Sequence, residues 1–331
     1  MPEHDGLMTT AELAAILTHP ELRLFDCTTY LEYQPEGSGI PYIAVPGRHT
    51  FEAGHIPGAD FLDLQGEFSQ ASIELHFMMP VTAQLEAAFG RHGIGADSRV
   101  VLYSIGSAMW ATRFWWMLRS LGFDDVAVLD GGFDKWKAEG RAIETGPATG
   151  YQPAAFTAKP RAGYFVDKHE TLKASADRNT VVVNALNPQL HKGLEPSRYG
   201  RPGHIPGSVN VSAATLYDPA TKAFVPLAEA ETKFAAQGIT KEKRVVERTQ
   251  SSGEFSPEQF QTLAQAIVTN DAFRSWREGT MITVSNCSIT VTHSAGTKTV
   301  MSNVDEKTSV FLQMIDAIKR TESQIKWKDV N

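Results

Sequence analysis

Apolar runs of strand length alternate with amphipathic runs of helical period along the first half of the chain. Continuous apolar runs are typical of strands buried on both faces, whereas apolar residues three and four positions apart indicate helices. The pattern predicts, in chain order, a strand at 22–27, a helix from Val81 to Gly93, a strand at 99–103, a helix at 111–122, a strand at 125–132 and a helix at 133–140. Such alternation implies an α/β fold with a parallel sheet covered on both faces.

The carboxyl ends of parallel strands form the edge at which α/β proteins bind ligands. The strand at 99–103 is followed at this edge by a loop of small residues, SIGSAMW, that begins at Ser104. The sequence therefore predicts a site at this loop.

The string GHIPG occurs twice, at 54–58 and at 203–207. Downstream of the two copies stand FGRHGIGADSRVV, which begins at Phe89, and FAAQGITKEKRVV, which begins at Phe234. An apolar run precedes each copy, LRLFDCTTYL in one case and NTVVVNALNP in the other. First strand, GHIPG loop, helix and second strand recur in the same order, so we interpret the chain as two copies of one domain.

The segments RHTFEAGHIPGADFLDL and VAVLDGGFDKW resemble the two signatures that bracket a rhodanese domain, and YGRPGHIPGSVNV resembles the first signature of a second such domain. Over about 22–246 the chain is similar to the tandem-rhodanese sulfurtransferases, which include thiosulfate and 3-mercaptopyruvate sulfurtransferases. The resemblance implies a rhodanese-like α/β/α fold. It also implies sulfur transfer from a small anionic donor to cyanide or a thiol, through a cysteine persulfide after the second strand of the C-terminal copy.

Neither copy carries a cysteine at the position that the resemblance assigns to the nucleophile. Ser104 stands there in the first copy. In the second copy Thr249 stands there, and Glu247 and Arg248 precede it in place of apolar or aromatic residues. Leu186 replaces an arginine that holds an anionic substrate in many relatives. No second DGGFDKW segment follows, so we expect the second domain to be truncated near 246 and sulfur transfer to be lost.

A persulfide-forming cysteine needs a low pKa, which a loop of inward-pointing N–H groups supplies by binding anions. The candidate loop and anion-binding residues are Ser104, Ile105, Gly106, Ser107, Arg113 and Arg201. We expect His55 and His204 to hold the GHIPG turns by hydrogen bonds. We expect Asp130 and Trp136 of the DGGFDKW segment to be structural as well.

Two cysteines, Cys27 and Cys287, are too few for a disulfide scaffold or a cysteine-based zinc site and favour a reducing cytoplasm. Cys27 ends the first strand, far in sequence from the loop. Cys287 lies in MITVSNCSITVTHS, an alternating run typical of one half-buried strand. A lone cysteine in a strand usually serves as a small core residue, so we expect neither to be catalytic. We also expect no cofactor and no metal.

The pattern changes after residue 246. SPEQFQTLAQAIVTNDAF predicts a helix capped by Ser256, 281–304 a hairpin, and KTSVFLQMIDAIKRTESQIKW a long amphipathic helix. Because nothing here continues the order of a parallel sheet, we interpret this part as an unrelated helix-hairpin-helix segment. The predicted organisation is a first domain at 20–145, a linker at 146–174, a partial second domain at 175–246 and the unrelated segment at 247–331.

The net charge of −7, with no basic block, argues against a nucleic-acid partner. No apolar run reaches the roughly 18–20 residues that span a bilayer, and the N-terminus lacks the pattern of a signal peptide, so we expect no membrane contact. Three functions remain open. The chain is a family member that has lost activity, a live sulfurtransferase with an unrecognised cysteine, or a non-catalytic binding or regulatory module fused to a small interaction domain. A thiosulfate–cyanide assay separates the second from the other two.

Overall fold

The computed structural model describes residues 6–35, 38, 40–71, 76–197, 202–239, 244–247, 281–285, 288–293 and 296–301. The chain divides into two compact units, residues 1–252 and 253–331. The first unit contains a five-stranded sheet, a three-stranded sheet and a two-stranded ribbon, and the second unit contains a separate three-stranded sheet. Within the described ranges, no helix is both long and apolar enough to cross a bilayer.

The five-stranded sheet belongs to copy one, which we define as residues 7–138. Its elements are β1 (Leu7–Met8), α1 (Thr10–Ile16), β2 (Leu22–Asp26), β3 (Thr29–Tyr33), β4 (Tyr42–Pro46), α2 (Arg48–Ala53), β5 (Asp60–Phe61), α3 (Thr82–Arg91), β6 (Arg99–Tyr103), α4 (Met109–Ser120), β7 (Val126–Leu129) and α5 (Gly132–Ala138). The strands lie in the order β1-β7-β6-β2-β5, and each neighbouring pair is parallel. The antiparallel ribbon β3-β4 lies outside this sheet. The predicted α/β fold is confirmed.

Two core clusters cover the two faces of this sheet. Along β6, Val100 and Leu102 belong to one cluster, and Val101 and Tyr103 belong to the other. Helices α3 and α4 contribute to the first cluster, and α1, α2 and α5 contribute to the second. A strand whose side chains alternate between two apolar layers must be apolar throughout, which explains the continuous run that predicted β6.

The sheet begins before the predicted domain boundary at residue 20. β1 pairs in parallel with β7, and α1 begins with a capping box between Thr9 and Glu12. The Thr9 hydroxyl accepts from the Glu12 N–H, while the Glu12 carboxylate accepts from the Thr9 N–H at 2.8 Å. A two-residue edge strand carries no periodicity, so the hydrophobic pattern placed the boundary too late.

Residues 146–165, most of the predicted linker 146–174, pack as a strap on copy one. The Tyr151 hydroxyl donates to the Gly58 carbonyl at 2.8 Å and accepts from the Leu24 N–H at 2.9 Å. Phe156 is buried in the core of copy one. From Lys168 onward the chain forms α6 (Lys168–Ala176), which packs against the second sheet. The strap packs on a surface that other elements build. Its buried residues therefore show no regular spacing in the sequence from which the packing could have been predicted.

The three-stranded parallel sheet belongs to copy two, which we define as residues 168–247. It contains α6, β8 (Thr180–Asn184), α7 (Pro188–Lys192), β9 (Val209–Asn210), a 3₁₀ turn (Ala213–Leu216), α8 (Leu227–Ala235) and β10 (Arg244–Glu247). Small apolar clusters lie on both faces of β8, one with α6 and one with α8. The strand order β10-β8-β9 repeats β6-β2-β5 of copy one. Among the described residues, no strand pairs with β10 on the side where copy one has β7.

The two sheets share one register. Leu22 pairs with Arg99 in copy one as Thr180 pairs with Arg244 in copy two. By this register, Arg244 stands at the position of Arg99, Asn184 at that of Asp26 and Glu247 at that of Leu102. The structural alignment therefore agrees with the alignment made from the sequence repeat.

The second unit contains β11 (Met281–Ser285), β12 (Ser288–His293) and β13 (Gly296–Met301), which pair antiparallel in chain order. The prediction of one strand over MITVSNCSITVTHS is wrong, because β11 and β12 divide this run and Ser285 pairs with Ser288. Polar and apolar residues alternate in both strands, but the apolar positions shift from even numbers in β11 (Ile282, Val284) to odd numbers in β12 (Ile289, Val291), a change of phase that the sequence analysis overlooked. Cys287 and the two predicted helices lie outside the described residues.

Candidate functional site

The predicted site is the loop between β6 and α4, residues 104–107, at the carboxyl edge of the copy-one sheet. Ser104 is 3% exposed, and its Oγ donates to the Ser107 carbonyl at 2.6 Å. Gly106 has a φ of 75°, in the left-handed region that favours glycine. The loop is therefore a tight turn, and the hydroxyl at the nucleophile position is directed back into it.

Backbone N–H groups of this loop are hydrogen-bonded within the chain. The Ile105 N–H donates to the Thr28 hydroxyl at 3.0 Å, and the Gly106 N–H donates to Oδ2 of Asp134 at 2.6 Å. An external anion bound by a loop of this kind would accept the same type of hydrogen bond. The chain thus supplies its own carboxylate at the place where the sequence predicts a foreign anion.

The cavity beside the loop is small. Its volume is about 10 Å³, which is room for one water molecule. Its lining includes Ser104, Ser107 and Asp134 of copy one together with Lys222 of copy two. A molecule as large as thiosulfate does not fit this volume.

Asp26 is fully buried at the end of β2 and is connected to the 104–107 loop through hydrogen bonds of Thr28. Its Oδ1 accepts from the N–H and the hydroxyl of Thr28, while Oδ2 has no hydrogen-bond partner in the described part of the chain. Burial raises the pKa of Asp26 to about 6, although the hydrogen bonds from Thr28 act in the opposite direction. Because the same Thr28 hydroxyl accepts from Ile105, one side chain connects the buried carboxyl to the loop.

Cys27 follows Asp26 and is completely buried. Burial, and secondarily the charge of Asp26, raises the pKa of the Cys27 thiol well above its ordinary value. The thiolate is the nucleophilic form of cysteine, so an inaccessible thiol with a raised pKa is unsuited to attack a sulfur donor.

The DGGFDKW segment supports the loop through Gly132, whose φ is 56°. The Ser104 carbonyl accepts from the Phe133 N–H at 3.3 Å and lies so close to Gly132 that a Cβ there would collide with it. The two glycines of the segment therefore allow β7 to turn sharply into α5 beneath the loop.

Gly132→Ala is expected to lower the free energy of unfolding of copy one by about 3 kcal/mol, because it adds a collision with the backbone to a left-handed φ. Urea unfolding followed by tryptophan fluorescence measures the change. Gly140→Ala is the matched control, since Gly140 also has a positive φ, of 67°, but no atom lies within 4 Å of the point that an alanine Cβ would occupy. Equal losses in the two variants would contradict a role for the contact with Ser104.

Asp130 and Trp136 make buried or interdomain contacts within the first unit. Trp136 is 1% exposed, and its Nε1 donates to the Ala142 carbonyl at 2.8 Å. Oδ1 of Asp130 accepts from the N–H of Phe224, in copy two, at 2.7 Å. Both residues have structural partners, and the second contact joins the two copies.

Arg113 does not line the cavity beside the loop, in contrast to its predicted place. Its guanidinium donates to the Phe77 carbonyl at 2.8 Å and lies 5.0 Å from the centre of the Phe165 ring. Burial lowers the pKa of Arg113 to about 10. Ala111 lines the cavity, and two positions along a helix rotate a side chain by about 200°, so residue 113 faces another way. The other predicted arginine, Arg201, and Thr249 lie outside the described residues.

The two GHIPG histidines make equivalent contacts in the two copies. Nδ1 of His55 hydrogen-bonds the Phe51 carbonyl at 2.8 Å, and the imidazole ring stacks on the Phe51 ring with the centroids 3.9 Å apart. Nδ1 of His204 hydrogen-bonds the His191 carbonyl at 2.7 Å, and the two imidazole rings stack with their centroids 3.8 Å apart. Each histidine ties its loop to the preceding helix.

Sequence analysis missed an ionic cluster around His92. Its Nδ1 lies 3.1 Å from Oδ2 of Asp60, and its Nε2 lies 3.3 Å from Oε2 of Glu67, which also pairs with Arg91 at 3.2 Å. Burial lowers the pKa of His92, but the hydrogen bonds to the two carboxylates outweigh it and raise the pKa to about 9. The partners lie on separate segments, so no local motif signals them. Across the residues that the structure describes, no group of three histidine, cysteine or acidic side chains could hold a metal ion.

The sequence of the chain is similar to that of a known family of proteins. The profile of the rhodanese-like domain matches residues 9–139. The probable 3-mercaptopyruvate sulfurtransferase of Pseudomonas aeruginosa is 33% identical over 208 residues, which cover 61% of this chain and 69% of that protein. The 3-mercaptopyruvate sulfurtransferase of Rattus norvegicus is 35% identical over 195 residues, which cover 57% of this chain and 62% of that protein. The matched stretch thus spans less than two thirds of the rat protein.

Solved structures show the same fold. The crystal structure of SseA from Escherichia coli, described with 3-mercaptopyruvate sulfotransferases, has a TM-score of 0.59 at 24% identity and covers 73% of this chain and 87% of that one. The 3-mercaptopyruvate sulfurtransferase from Leishmania major has a TM-score of 0.60 at 17% identity and covers 92% of this chain and 99% of that one. The sequence identity to the Pseudomonas aeruginosa relative, together with the repeated sheet, shows that the chain belongs to the tandem-rhodanese sulfurtransferase family.

Proposed function

We propose that this chain is a tandem-rhodanese protein that has lost sulfur transfer. The observation that carries the proposal is the shared register of the two sheets. It supports the alignment of β10 with β6, by which the position that the family resemblance gives to the nucleophile corresponds in copy two to residue 249, a threonine. The equivalent residue of copy one is Ser104.

The chemistry of the relatives named as sulfurtransferases requires a sulfur nucleophile. A thiolate attacks the donor, forms a sulfur–sulfur bond and releases the remainder of the donor, and the acceptor then takes the outer sulfur. A hydroxyl cannot replace the thiolate in this step. Cys27 is buried, and Cys287 stands at no sequence position that corresponds to the nucleophile of either copy.

The first test is turnover by the full chain. We expect no thiocyanate from thiosulfate and cyanide, and no pyruvate from 3-mercaptopyruvate, above a protein-free control. Intact-mass measurement after incubation with either donor should show no added sulfur. The rat 3-mercaptopyruvate sulfurtransferase serves as the active reference. Turnover that Cys287→Ser abolishes would overturn the proposal in favour of an active enzyme with an unrecognised nucleophile.

A second expected result concerns the loop of copy one. Ser104→Cys should not create activity, because the side chain at 104 is 3% exposed and the adjacent Gly106 N–H is bonded to Asp134. Labelling of the new thiol by an alkylating reagent in native protein, compared with denatured protein, measures its accessibility. Rapid native labelling together with formation of a persulfide would show that the loop is open, against the geometry of the structure.

The closed loop also bears on the alternative of a non-catalytic binding module. An anion-binding role for residues 104–107 would require Asp134 to release Gly106 and a larger cavity than the present one of about 10 Å³. We therefore place the loss of sulfur transfer first and do not assign an anion ligand to this loop.

A further inference from the structure

Copy two carries a small hairpin between its 3₁₀ turn and α8, residues 216–225. The Val225 N–H donates to the Leu216 carbonyl at 3.0 Å, and the Asp218 N–H donates to the Ala223 carbonyl at 2.8 Å. Tyr217 and Phe224 form an isolated antiparallel bridge, and their ring centroids lie 4.6 Å apart. The hairpin is thus held by its own backbone and side chains.

The turn of this hairpin is built locally. Oδ1 of Asp218 accepts from the N–H groups of Ala220 and Thr221, at 2.7 and 2.9 Å. Lys222 follows with a φ of 59°, which is uncommon for a residue other than glycine. This left-handed residue reverses the chain immediately before the return strand.

Copy one has a related turn, although no repeat was evident there in the sequence. The Gln70 N–H donates to the Met78 carbonyl at 2.9 Å, and the residue before Met78 is Phe77, with a φ of 63°. Lys222 lies 145 positions after Phe77, the same offset that relates Arg244 to Arg99. The turn is therefore a feature of the repeat.

The two turns have different surroundings. Phe77 packs within its own copy, with its ring 5.4 Å from that of Trp110. The copy-two hairpin instead reaches copy one: Lys222 lines the cavity beside the 104–107 loop, and the Phe224 ring packs against the adjoining core cluster. The Phe224 N–H donates across to copy one, to Oδ1 of Asp130 at 2.7 Å.

We propose that hairpin 216–225 is a lid that closes over the 104–107 loop of copy one and that Asp130 fastens it. Asp130 is suited to this task because a carboxylate forms a stronger hydrogen bond to a backbone N–H than a neutral acceptor does. Asp130 follows β7 directly and precedes the two glycines that support the loop, so the fastening point and the covered loop lie at the same edge of the sheet. Asp130, the first residue of the DGGFDKW segment, thereby joins the two copies of the domain.

Amide hydrogen exchange of the full chain, followed by mass spectrometry, tests the lid. In Asp130→Ala, exchange should rise by about tenfold or more both in 216–225 and in 104–109, with β6 unchanged. Asp130→Asn keeps an oxygen acceptor and should restore most of the protection in both segments. Lys222→Gly should also retain protection, because glycine adopts the left-handed φ freely and the fastening bond does not involve the lysine side chain.

Phe224→Ala provides a variant that leaves copy one unaltered. It keeps the N–H donor but removes the ring that packs on copy one, so exchange should again rise in 104–109 as well as in 216–225. The proposal is overturned if Phe224→Ala frees 216–225 while 104–109 stays protected. It is also overturned if Asp130→Ala raises exchange in β6 as much as in the loop, since the aspartate would then stabilise copy one as a whole.

Discussion

Asp26→Asn is expected to remove a pH dependence of about 3 kcal/mol from the free energy of unfolding of copy one. Burial raises the pKa of Asp26 from 3.8 to about 6. The folded chain therefore binds this proton more tightly than the unfolded chain does. The stabilisation is complete below pH 3.8 and is lost as the pH rises through 6, so the wild-type protein should become less stable between pH 4 and pH 7.

The second copy shows that an amide fits this position. Asn184 stands at the position of Asp26, and its Oδ1 accepts from the Leu186 N–H at 2.9 Å, as Oδ1 of Asp26 accepts from the Thr28 N–H at 2.8 Å. Urea unfolding at a series of pH values, followed by tryptophan fluorescence, compares variant and wild type. Asp97→Asn, at an exposed position, should keep the wild-type pH dependence. Parallel curves for Asp26→Asn and wild type would contradict the assigned burial cost.

The central strands and helices of copy one could be predicted from the sequence because burial on two faces imposes a local pattern. β2, β6 and β7 are continuous apolar runs, and the glycines that end α3 and α4 mark their limits. β1, the ribbon β3-β4 and the strap around Tyr151 escaped prediction for the opposite reason. Their partners are distant in sequence, and their own residues show no period of two or of 3.6.

The place of the 104–107 loop in the fold could be predicted, but the hydrogen bonding of its N–H groups could not. The order of parallel strands is enough to place the 104–107 loop at the carboxyl edge. Whether its N–H groups are open or occupied depends on Thr28 and Asp134, which approach from other segments. Neither contact belongs to a local sequence motif. The sequence therefore does not distinguish an aspartate that binds the loop N–H groups from one that faces solvent.

His92→Gln is expected to lower the free energy of unfolding of copy one by about 3 kcal/mol near pH 6. Hydrogen bonds to Asp60 and Glu67 outweigh the effect of burial and raise the pKa of His92 from 6.5 to about 9. The contribution of the charged imidazole is complete below pH 6.5 and is lost as the pH rises through 9. Glutamine can hydrogen-bond a carboxylate but carries no charge, so the variant should lack this pH dependence.

Chemical unfolding at pH 6 and at pH 10 measures the effect, with tryptophan fluorescence as the probe because four of the six tryptophans, Trp110, Trp115, Trp116 and Trp136, lie in copy one. The difference between wild type and His92→Gln should be largest at pH 6 and should shrink by pH 10. His49→Gln, at an exposed position, is the control and should change stability by less than about 0.5 kcal/mol. A difference that stays constant from pH 6 to pH 10 would mean that His92 acts through packing and not through its charge, because only the charged form loses its stabilising contribution over that range.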